Sequence, residues 1–169
     1  VDQLWAADRL TLVGEVGYNH IAGINESALR FGRDGNYGNG QMPAGTNPLN
    51  GMDLPANVSC TALLNTANPQ NCDSKGFYTA NSWGYRGRAI LEFANAFANV
   101  NLRPSVSWSH DVDGYGPNFN EGSKAVSLAL DADYRNSYSA SLSYTDFFGG
   151  EYNTSIDRDF VALSFGVSF

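Results

Sequence analysis

Positive charge is scarce in this chain. Lysine occurs only at positions 75 and 124, and Lys and Arg together number 10 against 17 Asp and Glu, a formal net charge of −7. That balance excludes the basic footprint of a nucleic-acid binder. Charge of both signs amounts to 16% of the 169 residues, below the roughly 25% of an average soluble domain. No run of about 18 apolar residues occurs, which excludes a membrane-spanning helix. It does not exclude a spanning barrel, whose alternating strands average out in hydropathy. Cysteine is confined to Cys60 and Cys72, with eleven residues between them. The spacing fits neither a CxxC redox motif nor a four-ligand zinc site. A disulfide is the simplest reading, and it implies an oxidising compartment; two unpaired thiols in a cytosolic loop are the alternative. Neither Met nor a signal peptide precedes Val1, so a processed chain or a fragment of a longer one is expected.

What is abundant points to strands. Aromatics reach 13% and glycine 18 of 169, a mixture suited to strands and turns rather than to surface helices. The C-terminal segment sets Val161, Leu163, Phe165, Val167 and Phe169 against Ala162, Ser164, Gly166 and Ser168. This is a period of two, with one apolar face and one face of small residues. Residues 10–18, 83–93, 100–109, 123–134 and 138–145 alternate in the same way. Ala89 to Ala98 also fits a helical stripe, but Asn95, Asn99 and Asn101 are poor helix formers, and strand, turn, strand is preferred. Pro104 cannot donate to a ladder, so a bulge or bend is expected there.

The connections alternate in length: 19–82 very long, 94–99 short, 110–122 longer, 135–137 tight, 146–159 longer. Short turns at one end and long loops at the other are the topology of an outer-membrane barrel. Under that topology Tyr18, Trp83, Trp108 and Tyr144 fall near external strand ends. Phe93, Tyr134, Tyr138 and Phe169 fall near periplasmic ends, giving two aromatic girdles. A soluble antiparallel sandwich is the rival. Against it, the second face carries Ser, Ala, Gly and Arg rather than Lys, Glu and Thr. Six strands are fewer than the eight or so of the smallest single-chain barrels. The expected fold is therefore all-β: the C-terminal six strands of an antiparallel transmembrane β-barrel, residues 1–169, with long external loops.

The stretch from Gly114 to Phe169 resembles the C-terminal end of a large proteobacterial family, the domain-of-unknown-function family 1302. The closest pieces are Asn118-Phe119-Asn120-Glu121-Gly122, Tyr138-Ser139-Ala140-Ser141-Leu142-Ser143-Tyr144 and Asp157-Arg158-Asp159-Phe160-Val161. The resemblance implies a longer outer-membrane barrel, encoded beside a lipoprotein-carrier-like partner and lipid-exporter-type pumps. It implies transport or envelope lipid traffic and supplies no catalytic residues.

The candidate site is a set of lumen-facing charges. Counted through the short turn, Phe93 faces Val100, which puts Glu92 opposite Asn101 and Arg88 opposite Ser105. Arg86, Arg88 and Arg103 then share the inner face with Glu92, Asp131 and Asp133. Such charges set solute preference in pores, or else form an internal salt-bridge network. Asp111 and Asp113, followed by Glu121, are weak candidates for a hard-cation loop; a solvated acidic turn is the plainer reading, and no metal or other cofactor is expected. His20 and His110 lie past strand ends, and Ser109 beside His110 specifies no triad. The long loop 19–82 would be stiffened by a Cys60–Cys72 bridge, by about 3 kcal/mol at this ring size. The function expected is passage of a hydrophobic or lipid-like solute, without enzymatic activity. The rival is an anchored adhesion or binding protein. Expected partners are outer-membrane lipid and lipopolysaccharide, the barrel assembly machinery acting on the last strand, and the remaining strands of a longer chain.

Overall fold

A computed structural model describes residues 7–26, 30–37, 45–46, 51, 53–54 and 75–168. Six long strands form one antiparallel sheet: β1 (Arg9–His20), β4 (Asn81–Phe97), β5 (Val100–Asp113), β6 (Lys124–Tyr134), β7 (Tyr138–Phe148) and β8 (Phe160–Val167). They pair in the order β1-β4-β5-β6-β7-β8. Within the connection after β1, a one-turn 3₁₀ helix (Gly35–Tyr37) and a two-residue pair, β2 (Gly45–Thr46) with β3 (Asp53–Leu54), are the only regular elements among the described residues. The segment read as ambiguous between helix and strand is strand as far as Phe97. Among the described residues the sheet is open: β1 pairs only with β4, and β8 only with β7.

The alternation seen in the sequence holds across all five ladders. Leu12 lies opposite Ala89, Ala89 opposite Val106, Val106 opposite Leu128, Leu128 opposite Tyr144, and Tyr144 opposite Val161. Apolar side chains therefore collect on one face, because a register kept in step keeps parity in step. That face is not covered among the described residues. Leu12 is 71% exposed, Val16 74% and Phe165 77%. A sandwich would bury this surface against a second sheet.

The buried side chains lie elsewhere. Tyr115, Phe119, Tyr152 and Asn153 are buried in the connections, at the end of the sheet where the long loops emerge. Tyr152 packs edge-on against Tyr37 at 5.2 Å and Tyr115 at 5.8 Å. The Arg33 guanidinium lies over Tyr152 at 4.7 Å and Phe77 at 5.1 Å, a cation–π arrangement. Arg33 also donates to the carbonyls of Lys75 (3.0 Å) and Tyr37 (2.6 Å). Burial, then the charges of Asp34 and Asp157, raise the Tyr37 hydroxyl above the ordinary tyrosine range and keep it protonated. Three loops thus share one aromatic core.

The opposite end has tight turns. Ala98 (φ 48°) and Asn99 (φ 65°) are both left-handed, as a two-residue hairpin requires. One turn-end expectation is corrected. Phe93 pairs with Leu102, not Val100, and Val100 pairs with Phe97. The cause is a bulge: residues 94–96 oppose Asn101 alone, and Asn95 is left-handed at φ 51°. The Asp8 carboxylate accepts from the N–H of Ala94 (2.6 Å) and the Asn101 amide oxygen from that of Asn95 (2.9 Å). Arg88 consequently sits opposite Ser107, and Glu92 comes level with Arg103 rather than Asn101.

At Pro104, where a bulge or bend is expected, no bulge forms. Pairing with β6 runs unbroken through Pro104 and Leu130. Toward β4 the ladder lapses between Ile90–Ser105 and Phe93–Leu102 without a shift. The missing N–H falls in that lapse, so no bulge is needed. The bulge in β5 lies instead at Val112, between the Trp83–Asp113 and Gly84–Asp111 pairs.

Candidate functional site

The second face of the sheet is mostly polar. Its register orders the charges in two tiers. Nearest the long loops, Glu15 lies opposite Arg86 and Val13 opposite Arg88. On the far side of the two arginines stand Ser109 and Ser107, then Ala125 and Ser127. Below comes a neutral row, Thr11 with Ile90, Ser105 and Ala129. Then Arg9 opposes Glu92, and Arg103 opposes Asp131, so charge alternates in sign across four strands. Asp133, opposite Asn101, is the last acid before the turns.

The expected charges thus share one face, and the structure separates them by tier. Arg9 Nη1 to Glu92 Oε2, at 3.9 Å, is the one ion pair on this face among the described residues. Both partners are solvated, so its contribution is at most about 1 kcal/mol. The lower tier is close to balanced. The upper tier is not: it holds two guanidinium groups and one carboxylate. Glu15 and Arg9 belong to the site although neither was among the expected charges; Arg9 lies one residue before the expected strand. Replacing Asp131 and Asp133 with Asn leaves Arg103 with Glu92 alone on its tier. We expect the double variant to fold and, in a barrel that conducts, to shift reversal potential toward anions in bilayer recordings of the full-length protein. An unchanged potential with unchanged stability would make these acids ordinary wall residues.

A depression of about 450 Å³ lies over the upper tier, lined by Val13, Glu15, Arg86, Arg88, Ser107 and Ser127 among others. A second, of about 260 Å³, continues it toward the loops through Glu15 and Arg86 and is roofed by Asn118 and Phe119. The Phe119 ring fills a notch made by two facing glycines. A Cβ on Gly17 would stand 2.6 Å from its Cζ, and one on Gly84 2.9 Å from its Cδ1. Only glycine leaves the backbone open to a ring at that distance. Sequence reasoning missed Phe119 as a site residue, because its notch is built by distant strands.

Other candidates resolve into scaffold. The Asp111 carboxylate accepts the N–H of Asn120 (2.9 Å), and that of Glu121 the N–H of Gly114 (3.2 Å). These carboxylates brace the loop backbone, and no group of three metal-ligating side chains converges among the described residues. Asp113 ends β5 opposite Trp83. His20 Nδ1 is 2.8 Å from Asn81 Oδ1, and His110 packs edge-on to Tyr85 at 5.5 Å. Ser109 and His110, adjacent in one strand, point to opposite faces. Cys60, Cys72 and Phe169 lie outside the described residues. On the apolar face Tyr18 opposes Trp83 at the loop end, and the Trp108 indole N–H donates to the Tyr85 hydroxyl at 3.3 Å. Phe93 lies nearer the turn end, where Tyr134 pairs with Tyr138 and Phe97 joins them. Tyr144, expected at an external strand end, is corrected: it lies mid-strand in β7, opposite Leu128 and two pairs from Leu142, because β7 continues to Phe148.

A family model for proteins of unknown function, DUF1302, matches residues 2–169. The chain belongs to the DUF1302 family. No curated protein and no solved structure matches it. In this DUF1302 protein the features to be explained are the two unlike faces of the sheet and the loop core closing over one of them.

Proposed function

We propose that the sheet is part of the wall of an outer-membrane β-barrel that conducts a solute along its polar face. The observation carrying this reading is the pairing of a continuous, exposed Leu/Val/Phe/Tyr face with a face rich in serine and arginine on the same six strands. Hydrocarbon satisfies the first and water the second. In lipid no sheet edge survives unpaired, so β1 and β8 require further strands to close the barrel. Strands of 11 or 12 residues, as in β1, β6 and β7, match the roughly 9–11 residues of a tilted spanning strand. The long loops then face outward and the turns inward to the periplasm. A solute with an apolar body fits the aromatic roof of the passage.

The three-loop aromatic core favours a second reading, in which the barrel anchors loops that bind a partner and nothing passes. Osmotic swelling of liposomes carrying the full-length protein separates the two. Entry of a small neutral sugar above the rate of empty liposomes is the result expected for a conduit. An anchor admits none.

A further inference from the structure

We infer, resting on the conduit reading above, that the two adjoining depressions, one lined by Arg86 and Arg88 and the other by Arg86 and Phe119, together form a binding site for organic anions carrying an apolar body. Arg86 and Arg88 hold the anionic group, and Phe119 packs on the body.

The charge argument is local. Arg88 has only neutral cross-strand neighbours, Val13 and Ser107. Its guanidinium donates to Ser105 Oγ at 3.2 Å, leaving most of its five N–H donors unspent on described residues. Arg86 forms no ion pair with Glu15 opposite, and Ser109 stands on its other side. Glu15 offsets one of the two positive charges. Asp111, one row nearer the loops on β5 and lining a further depression with Arg86, is a second carboxylate on this side, and it accepts the Asn120 N–H. Two guanidinium groups two residues apart on one strand point to the same side, a spacing that lets one anionic group accept from both.

The apolar argument comes from the roof. Phe119 is 9% exposed, and its ring is seated against Gly17 and Gly84 beside the mouth of the depression. Val13 adds a branched apolar side chain lower down. A bare inorganic anion makes use of the arginines alone. An acyl or aromatic anion uses arginines, Val13 and Phe119 together. The lower tier alternates in sign and offers no net attraction, so charge selection falls on the upper one.

The test is osmotic swelling of liposomes carrying the full-length protein, with four solutes. Benzenesulfonate is the probe, methanesulfonate lacks its ring, benzyltrimethylammonium inverts its charge, and arabinose reports the open passage. Wild type should admit benzenesulfonate about tenfold faster than benzyltrimethylammonium, the scale of one charge-assisted hydrogen bond. Arg86→Gln with Arg88→Gln should erase that ratio, each variant's rates being read relative to its own arabinose entry. Phe119→Ala should erase the advantage of benzenesulfonate over methanesulfonate and keep anion over cation. Arabinose entry without any anion preference overturns the site and leaves the conduit standing. If arabinose does not enter, the conduit fails, and equilibrium dialysis of benzenesulfonate against the detergent-solubilised protein decides the site. Saturable binding lost in the double arginine variant supports it, and its absence from wild type overturns it.

Discussion

Leu128→Arg should abolish accumulation of folded protein in the membrane, while Ser127→Arg, one residue away, should be accepted. Leu128 lies mid-strand between Val106 and Tyr144, with its side chain 55% exposed on the apolar face. If that face meets lipid, an arginine near the midplane costs about 2–4 kcal/mol. Small domains are stable by only about 5–15 kcal/mol in total, so this is a large share. Ser127 points to the polar face, between Ser107 and Thr145. Its substitution gives up the Thr145 hydroxyl bond at 3.0 Å, worth about 1 kcal/mol, and leaves the guanidinium in water. Resistance of the folded form to denaturation in gel electrophoresis and urea midpoints in lipid measure both. Equal behaviour, or a worse Ser127→Arg, would reverse the assignment of faces.

Gly114→Ala should unfasten the loops without unfolding the sheet. Gly114 follows β5 at φ +77°, where an L side chain is strained. Its Cβ would run into the Asn81 carbonyl oxygen and stand 2.7 Å from Thr79 Oγ1 and 3.0 Å from Ser82 Cα. The left-handed backbone costs about 1–2 kcal/mol, and crowding about 1–3 kcal/mol more. The loss falls on a local cluster: Thr79 Oγ1 accepts the Tyr115 N–H, and Tyr115 O accepts the Thr79 N–H, both at 2.9 Å. New protease cleavage within 75–80 and 114–123, with the strands still protected, is the expected pattern. Gly14→Ala is the matched control, since nothing lies within 4 Å of its Cβ. Unaltered proteolysis in Gly114→Ala would show that the loop core does not depend on this contact.

The strands and their faces were legible because period-two alternation is a local signal that tertiary contacts reinforce. From Leu10 opposite Leu91 to Leu142 opposite Leu163, the apolar parity read from sequence is the parity observed. The β4–β5 register was not legible. It turns on Asn95 adopting a left-handed conformation, stabilised by Asp8 and Asn101, which alternation alone does not encode. The absence of a bulge at Pro104 has a related reason: which neighbour loses a hydrogen bond depends on register, and only the β4 side lapses. The charged face was readable as a set, but not its division into tiers, which follows from the corrected register. Phe119 left a single trace, two glycines at positions 17 and 84 on the polar parity. Their meaning depends on a ring delivered from a loop beyond β5.

The two ends of the sheet also differ in when they can form. The turn end closes β4 on β5 through Ala98–Asn99 and β6 on β7 through residues 135–137. Such hairpins need only neighbouring residues and assemble in about 1–10 μs. The loop end needs β1 and β4 joined across residues 21–80, then Tyr37, Tyr115 and Tyr152 gathered from three connections. Closing long loops carries an entropy cost that neighbouring contacts do not. Order therefore spreads from the turns toward the loops, and the cover over the arginine tier is completed last. By the same reasoning it is the first part to open, so amide hydrogens at Tyr78, Thr79 and Gly116 should exchange well before those of Val106 or Leu130.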